Sequence, residues 1–286
     1  MPFKAEDLLN IDIPVVEQTF TVKDTMFYAL SVGLAYSPLD PAMLEFVYEK
    51  TLKALPTMGV VLAHPGNWMV SMNTGIDYLK VVHGEQGLIV HKSLPTEGAV
   101  VGKTRVIGVA DKGEGRGALI FVERDIADKA TGEKLVTVTD TTFARGDGGC
   151  GSAGSAGPKP HAIPERNPDI VCDLPTMNQM GLIYRLNADY NPLHADPGVA
   201  ERAGFEKPIL HGLATYGVAG HAVLKEACGY DPARLRTLSG RFTAPVYPGE
   251  TFRTEIWIDV DVASFRTKSI ERDVVAINNG RADIRR

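Results

Sequence analysis

Cysteine is nearly absent: Cys150, Cys172 and Cys228 are the only three in 286 residues. Their odd number and wide spacing make no CxxC pair, and no histidines cluster beside them at metal-ligand intervals. That excludes a disulfide framework and a zinc site, and it fits a reducing compartment. Long apolar runs are missing as well. The opening MPFKAEDLLNIDIP has no basic region followed by an apolar stretch, and no segment approaches the ~18 uninterrupted apolar residues of a membrane span. The expectation is a soluble, unsecreted protein with no membrane partner. Positive charge is not in excess: 30 basic against 35 acidic residues leave no field to attract nucleic acid. At this length two ordinary domains, or one fused duplication, can each bury a core unaided.

One segment is poor in everything that packs. Residues 146–160, GDGGCGSAGSAGPKP, are almost entirely Gly, Ala, Ser and Pro, and read as a linker between residues 1–145 and 161–286. GCGSAG, at 149–154, satisfies the GxGxxG pattern of dinucleotide folds. Its context is wrong, because Pro158 and Pro160 follow where a helix must open, and no acidic residue closes a second strand at the required distance.

The two flanking parts look alike. YALSVGLAYSPL (28–39) and YRLNADYNPL (184–193) share Tyr, Leu, a second tyrosine and a Pro-Leu tail once two extra residues are allowed in the first. Each is followed by an apolar Gly-bearing run, PTMGVVLA (56–63) and PILHGLATYG (208–217). Each part then ends in runs rich in Val, Ile, Thr and aromatics: 100–110, 118–124 and 135–143 in the first, 238–246, 251–260 and 274–284 in the second. Helix followed by strands, twice, is the α+β architecture expected. The strongest helix is 213–227, LATYGVAGHAVLKEA, stopped by Gly229 with Pro232 beyond. It is apolar nearly all round and rich in Gly and Ala, so it should be buried inside a curved antiparallel sheet. His221 within it reads as a packed, hydrogen-bonded core histidine.

The chemistry concentrates in YRLNADYNPLHADP, residues 184–197. Asn191 and Pro192 force a turn, which puts Asp189 and His194 at the two ends of a short stiff loop. Converging side chains there would grip one water between a carboxylate and an imidazole. The plainer alternative is that Asp189 and Asn191 only cap and turn the chain while His194 sits on the surface. Gly212 stands directly before the buried helix. Its N–H, with no side chain in the way, suits an oxyanion such as that of an activated thioester.

YRLNADYNPLHADPGVAERAGFEKPILHGLATYG closely resembles the signature of the R-specific 2-enoyl-CoA hydratases, the hydratase 2 or MaoC-like family, which includes the hydratase part of peroxisomal multifunctional enzyme type 2. HGEQ (83–86), DKG (111–113), FARGDGG (143–149) and RFTAPVYPGET (241–251) are similar to further landmarks of that family. The resemblance implies a double hotdog, two fused units each with a bent antiparallel sheet round a central helix. It implies Asp189 and His194 as the catalytic pair, Asn191 as support for their loop, and Gly212 as the backbone donor to the thioester carbonyl. His83, Gly84, Lys112 and Phe242 match acyl-CoA-binding positions, as do Tyr190, Pro192 and Leu193 within the loop. Lys112 also suits a CoA phosphate on charge alone. Where the family has Ser or Thr, Gly and Trp around the aspartate, this chain has Asn187, Ala188 and Tyr190, which puts the pocket shape in question.

The first part carries Gly33 and Asp40 where the second carries Asp189 and His194. One active site per chain is therefore expected, in 161–286, while 1–145 makes room for a medium or longer acyl tail. The implied reaction is reversible hydration of trans-2-enoyl-CoA to (3R)-3-hydroxyacyl-CoA, with no metal or redox cofactor and with coenzyme A entering as part of the substrate. A hotdog thioesterase and a non-catalytic acyl-CoA-binding module are the alternatives. The expected assembly is a homodimer, and the expected compartment is a bacterial cytoplasm, since the ending ADIRR lacks a Ser-Lys-Leu peroxisomal signal.

Overall fold

In a computed structural model, which describes residues 3–187 and 189–285, the strands join into one sheet. They are β1 (Val16–Phe20), β2 (Val81–Val90), β3 (Gly98–Asp111), β4 (Ala118–Asp128), β5 (Lys134–Ala144), β6 (Ala153–Gly154), β7 (Ile170–Pro175), β8 (Thr237–Phe242), β9 (Thr251–Asp259), β10 (Val262–Ser269) and β11 (Val274–Asp283). The helices are α1 (Ala5–Leu9), α2 (Val22–Ser31), α3 (Pro41–Leu44), α4 (Trp68–Ser71), α5 (Met180–Tyr184), α6 (Pro197–Arg202) and α7 (Gly212–Cys228). The strand order is β1-β3-β4-β5-β2-β8-β11-β10-β9-β7, with β6 added beside β3. The two parts meet where β2 pairs antiparallel with β8, Gln86 against Gly240 and Leu88 against Leu238.

The expected runs all appear as strands, each within a few residues of its predicted ends. Strand β10, VASFRTKS, escapes the sequence reading because its outward positions are polar, and β2 because His, Gly, Glu and Gln interrupt its apolar pattern. Helix α7 begins one residue earlier than expected and ends at Gly229 in the left-handed region (φ 60°), a conformation that favours glycine at this cap. It packs on β7 to β11 and on β2, so the sheet wraps it as the composition required. His221 is 1 % exposed, and its Nε2 bonds the Tyr230 hydroxyl at 3.0 Å.

The first part departs from expectation. Among the described residues it has no counterpart of α7, only a 3-10 turn, Pro56–Val60, on the inner face of β2 and β5. The physical reason lies in PTMGVVLAHPGN: Gly59 weakens any helix in its middle, and Pro65-Gly66 would stop it after little more than two turns, well short of the length of α7. A carbon added at Gly59 would lie 2.9 Å from Val136 and 3.3 Å from Leu88, so this turn rests its backbone directly on the sheet.

Segment 146–160 also departs, because it packs. Asp111 accepts hydrogen bonds from the N–H groups of Gly149 and Gly151, β6 pairs with Gly108 and Val109, and Cys150 is buried. Gly157 lies against the Phe121 ring so closely that an added carbon would stand 2.3 Å from it. Glycine here permits close approach to the sheet, and looseness does not follow from it.

The similarity between the parts is realised at the centre. Tyr28 of α2 and Tyr184 of α5, the leading tyrosines of the two similar stretches, are both fully buried with ring centroids 6.3 Å apart. Two antiparallel sheets fused edge to edge, one wrapped round its helix and one whose helix has shrunk to a turn, make a double hotdog. The contact between α7 and the first part is tight, since an added carbon at Gly217 would lie 2.5 Å from Val32 Cγ1. Gly217→Val should therefore destabilise the protein by about 1–3 kcal/mol through overpacking, read as a lower urea midpoint. An unchanged midpoint would show that the parts do not meet there.

Candidate active site

The loop between α5 and α6 is built by local bonds. Asp189 N–H donates to the Arg185 carbonyl at 3.2 Å, Asn191 N–H donates to Asp189 Oδ1 at 3.2 Å, and Leu193 N–H donates to Asn191 Oδ1 at 3.0 Å. Asn191 thus caps the 3-10 turn Pro192–His194, for which Pro192 is preorganised at the first position. The residues cap and turn the chain as the plainer alternative has it, but His194 is half-buried, not on the surface, and the turn brings it beside Asp189.

His194 Nδ1 lies 2.9 Å from the carbonyl of Ile209. A carbonyl only accepts, so Nδ1 carries the proton and Nε2 is left with a free lone pair. Burial lowers the pKa of this imidazole below its ordinary value, against the raising effects of the Ile209 bond and of Asp189, which keeps it neutral.

His211 completes the group, and sequence reasoning missed it. It is 1 % exposed and stacks on His194 with ring centroids 3.8 Å apart. Its Nε2 donates to the Asp189 carbonyl at 3.2 Å, which ties the loop to the start of α7. Burial, reinforced by His194, pushes it down to about 4. One donor atom from each of Asp189, His194 and His211 lies within 4.8 Å of the others, a spacing that a cation or a water could bridge. The available signal was a histidine at the position before a helix where Ser, Thr, Asp or Asn is usual.

That substitution matters for α7. No side chain caps it, and the first N–H groups of a helix have no partners within it. The Gly212 N–H meets no acceptor among the described residues, at the positive end of a seventeen-residue helix dipole. Phe242 covers it: a carbon added at Gly212 would be 3.5 Å from the Phe242 ring, whose other neighbour is His83 at 4.9 Å in an edge-to-face contact. His83 donates from Nε2 to the Glu85 carbonyl at 3.0 Å, and Gly84 sits in the β-bulge where β2 slips against Thr141 and Thr142.

Asp189, His194, Gly212, Phe242 and His83 thus come together. The others lie further out. Tyr190 is 59 % exposed with Arg185 over its ring at 5.0 Å, Pro192 is exposed, and Leu193 is half-buried. Lys112 is exposed in the turn between β3 and β4, at the sheet end where Ala118, Ala144 and Val81 stand side by side. Ala188 lies outside the described residues. A separate open recess of about 490 Å³, between 163–168 and Glu255, Trp257 and Arg266, contains none of these groups.

Residues 18–146 match the MFE-2 hydratase 2 N-terminal domain, and residues 160–280 match the MaoC-like domain. The chain is 37 % identical over 295 aligned residues to a probable enoyl-CoA hydratase 2 of Dictyostelium discoideum, covering 99 % of this chain and 97 % of that one. A MaoC-like dehydratase from Phytophthora capsici superposes with a TM-score of 0.87 at 30 % identity, over 98 % of both chains. A Mycobacterium tuberculosis protein described as a double hotdog superposes with a TM-score of 0.57 at 16 % identity, over 95 % of this chain and 93 % of that one, a likeness of fold alone. With both parts matched and a relative aligned from end to end, the chain belongs to the hydratase 2, MaoC-like dehydratase family.

Proposed function

We propose that the protein is an R-specific enoyl-CoA hydratase, adding water reversibly across the 2,3-double bond of trans-2-enoyl-CoA to give (3R)-3-hydroxyacyl-CoA. One observation carries the reading: a neutral His194 with its Nε2 lone pair free, beside Asp189, at the uncapped start of α7. Water held between Asp189 and His194 loses a proton to the pair as its oxygen bonds to C3, and a proton from the pair reaches C2. Negative charge building on the thioester oxygen is met by the Gly212 N–H. Asn191 sets the loop, and His211 ties it to the helix.

Phe242 and His83 flank the thioester in this arrangement, with Gly84, Tyr190, Pro192 and Leu193 around them, and Lys112 pairs with a CoA phosphate at the rim. The missing first helix supports room for medium or longer acyl tails. No metal is invoked, because a cation bridging Asp189, His194 and His211 would occupy the lone pairs that must accept the proton. Free ends of the sheet at β1 and β7 give edges through which a homodimer can form. Three buried, unpaired cysteines support a reducing cytoplasm, and no helix among the described residues is long and apolar enough to cross a membrane.

Asp189→Asn or His194→Gln should each lower kcat by on the order of 10² to 10⁴, the usual range for a positioned acid-base group. The double variant should be little worse than the worse single one, because the two act on one water. Asp40→Ala in the first part, which removes a cap on Ala42 far from the reacting groups in sequence, should stay within a few-fold of the parent. A folded Asp189→Asn protein near parent kcat would refute the assignment.

The pH profile follows from His194. Protonating Nε2 removes the acceptor, and burial has lowered its pKa, so kcat/KM should stay level on descending through about 6.5, the ordinary histidine value. It should fall only at lower pH. A midpoint above 6.5 would mean a charged imidazole in the resting site.

Product should be consumed by an R-specific 3-hydroxyacyl-CoA dehydrogenase, with turnover persisting in chelator. Consumption only by an S-specific partner, release of free CoA thiol instead of hydration, or a loss reversed by added metal would each contradict the mechanism.

A further inference from the structure

At the end of the β2–β8 seam away from the reaction centre lies a recess of about 230 Å³ that the hydration does not use. Three separate segments build it. His91, Lys92 and Ser93 leave β2 of the first hotdog, Arg236 stands before β8 of the second, and Arg285 follows β11. Backbone bonds hold these walls in register: Val90 N–H donates to the Arg236 carbonyl at 2.7 Å, Arg236 N–H to the Asp283 carbonyl at 2.8 Å, and Arg285 N–H to the Arg234 carbonyl at 2.7 Å. His83 is seven residues back along β2 from Val90, roughly 20 Å at the rise of a strand. Lys112 lies at that same distant end of the first sheet, where Val81 pairs with Ala144 and Asp111 with Ala118.

The recess is charged in one sense. Lys92, Arg236 and Arg285 line it, and no carboxylate does among the described residues, although the whole chain has a formal net charge of −5. Neither the Arg236 nor the Arg285 guanidinium has an ion-pair or hydrogen-bond partner among those residues. The acidic neighbours are turned elsewhere: Asp283 holds Arg281 and Thr237, and Asp231 caps Ala233. Lys92 pairs with Glu133, but both side chains are about half exposed, and such pairs contribute little and exchange readily. His91 is fixed on the wall by its Nε2 bond to the Thr137 hydroxyl at 2.8 Å, and Ser93 adds a hydroxyl.

Like charges converging on one concavity repel one another and concentrate the field there, so an anion is the ligand that such a recess draws in. An apolar group would strip water from three cations and return no bond. Two planar guanidinium forks, an ammonium and a hydroxyl match the several oxygens and double charge of a phosphate. Size narrows the ligand further. At about 230 Å³ the recess falls below the ~300–1,000 Å³ of pockets that hold drug-sized molecules, which leaves room for one phosphate group and excludes the nucleotide of coenzyme A. We propose that this recess is an anion site for a phosphate dianion, free or as the head of a small phosphomonoester, which clamps the two hotdogs together at the end of their seam. The site is independent of the hydratase reading.

The test titrates inorganic phosphate and glycerol phosphate into the full chain at constant ionic strength, balanced with chloride, and follows phosphorus line broadening and the urea midpoint. At least one of the two should bind saturably at one equivalent per chain and raise the midpoint, as a ligand of the folded state must. A tighter inorganic phosphate identifies the free ion as the source, and a tighter glycerol phosphate identifies the phosphomonoester. Arg236→Ala and Arg285→Ala should each weaken Kd by about tenfold or more, the scale of a lost charge-assisted hydrogen bond, while leaving kcat/KM for hydration at the parent value. Lys112→Ala separates this site from the one for the CoA phosphate and should leave the Kd unchanged. Both side chains replaced are exposed, so the arginine variants should fold with the parent midpoint in chloride. Binding that does not saturate, a midpoint shift that chloride reproduces, parent affinity in both arginine variants, or loss of binding in Lys112→Ala overturns the site.

Discussion

Helix α7 starts without a capping side chain, and its first N–H groups need an acceptor that the described residues do not supply. In a buried helix that is a cost of order 1–3 kcal/mol per orphaned group unless something polar arrives. Here the cost is concentrated at Gly212, under the Phe242 ring, where a polar ligand atom can relieve it. The same end of the helix is held by His211, whose bond to the Asp189 carbonyl and stacking on His194 fix the loop relative to the donor. Loop and helix are distant in sequence but share one rigid joint.

That joint explains why three imidazoles and a carboxylate tolerate each other. His83, His194 and His211 are each lowered by burial, so they are neutral at ordinary pH and Asp189 has no cationic histidine to neutralise it. Neutral histidines also have defined tautomers, each set by a backbone carbonyl that can only accept: Ile209 for His194, Asp189 for His211 and Glu85 for His83. The backbone thereby decides which nitrogen faces the substrate.

Much of this was legible in the chain. Helix α7 was visible because a Gly- and Ala-rich run, apolar on all sides and closed by Gly229, has few other stable environments. Asp189 and His194 were visible because Asn191-Pro192 stiffens the interval between them. His211 was not, since a lone histidine before a helix carries no spacing signal and acquires its meaning only by stacking on a residue seventeen positions earlier. The packing of 146–160 was hidden for a different reason: glycine composition alone does not say whether the backbone is loose or pressed against a ring. Arg124 and Asp140 sit at positions that alternate properly for strands, and only the pairing register shows that both point inward.

The loss of the first helix links these features. In the second hotdog α7 fills its sheet and presents its uncapped end to the site, whereas in the first Ile120, Val122, Ile126, Val136 and Val138 are buried on the inner face of β4 and β5 without such a helix. Pro65-Gly66 cuts that helix short, and Arg124 on the inner face of β4 instead reaches the Val60 carbonyl of the turn at 2.7 Å. A buried cation and anion on one face would normally be drawn into contact. Their diagonal register and the bond from Arg124 to Val60 hold them apart, so the backbone of the vestigial turn does two things: it seals one end of the sheet and it anchors the guanidinium.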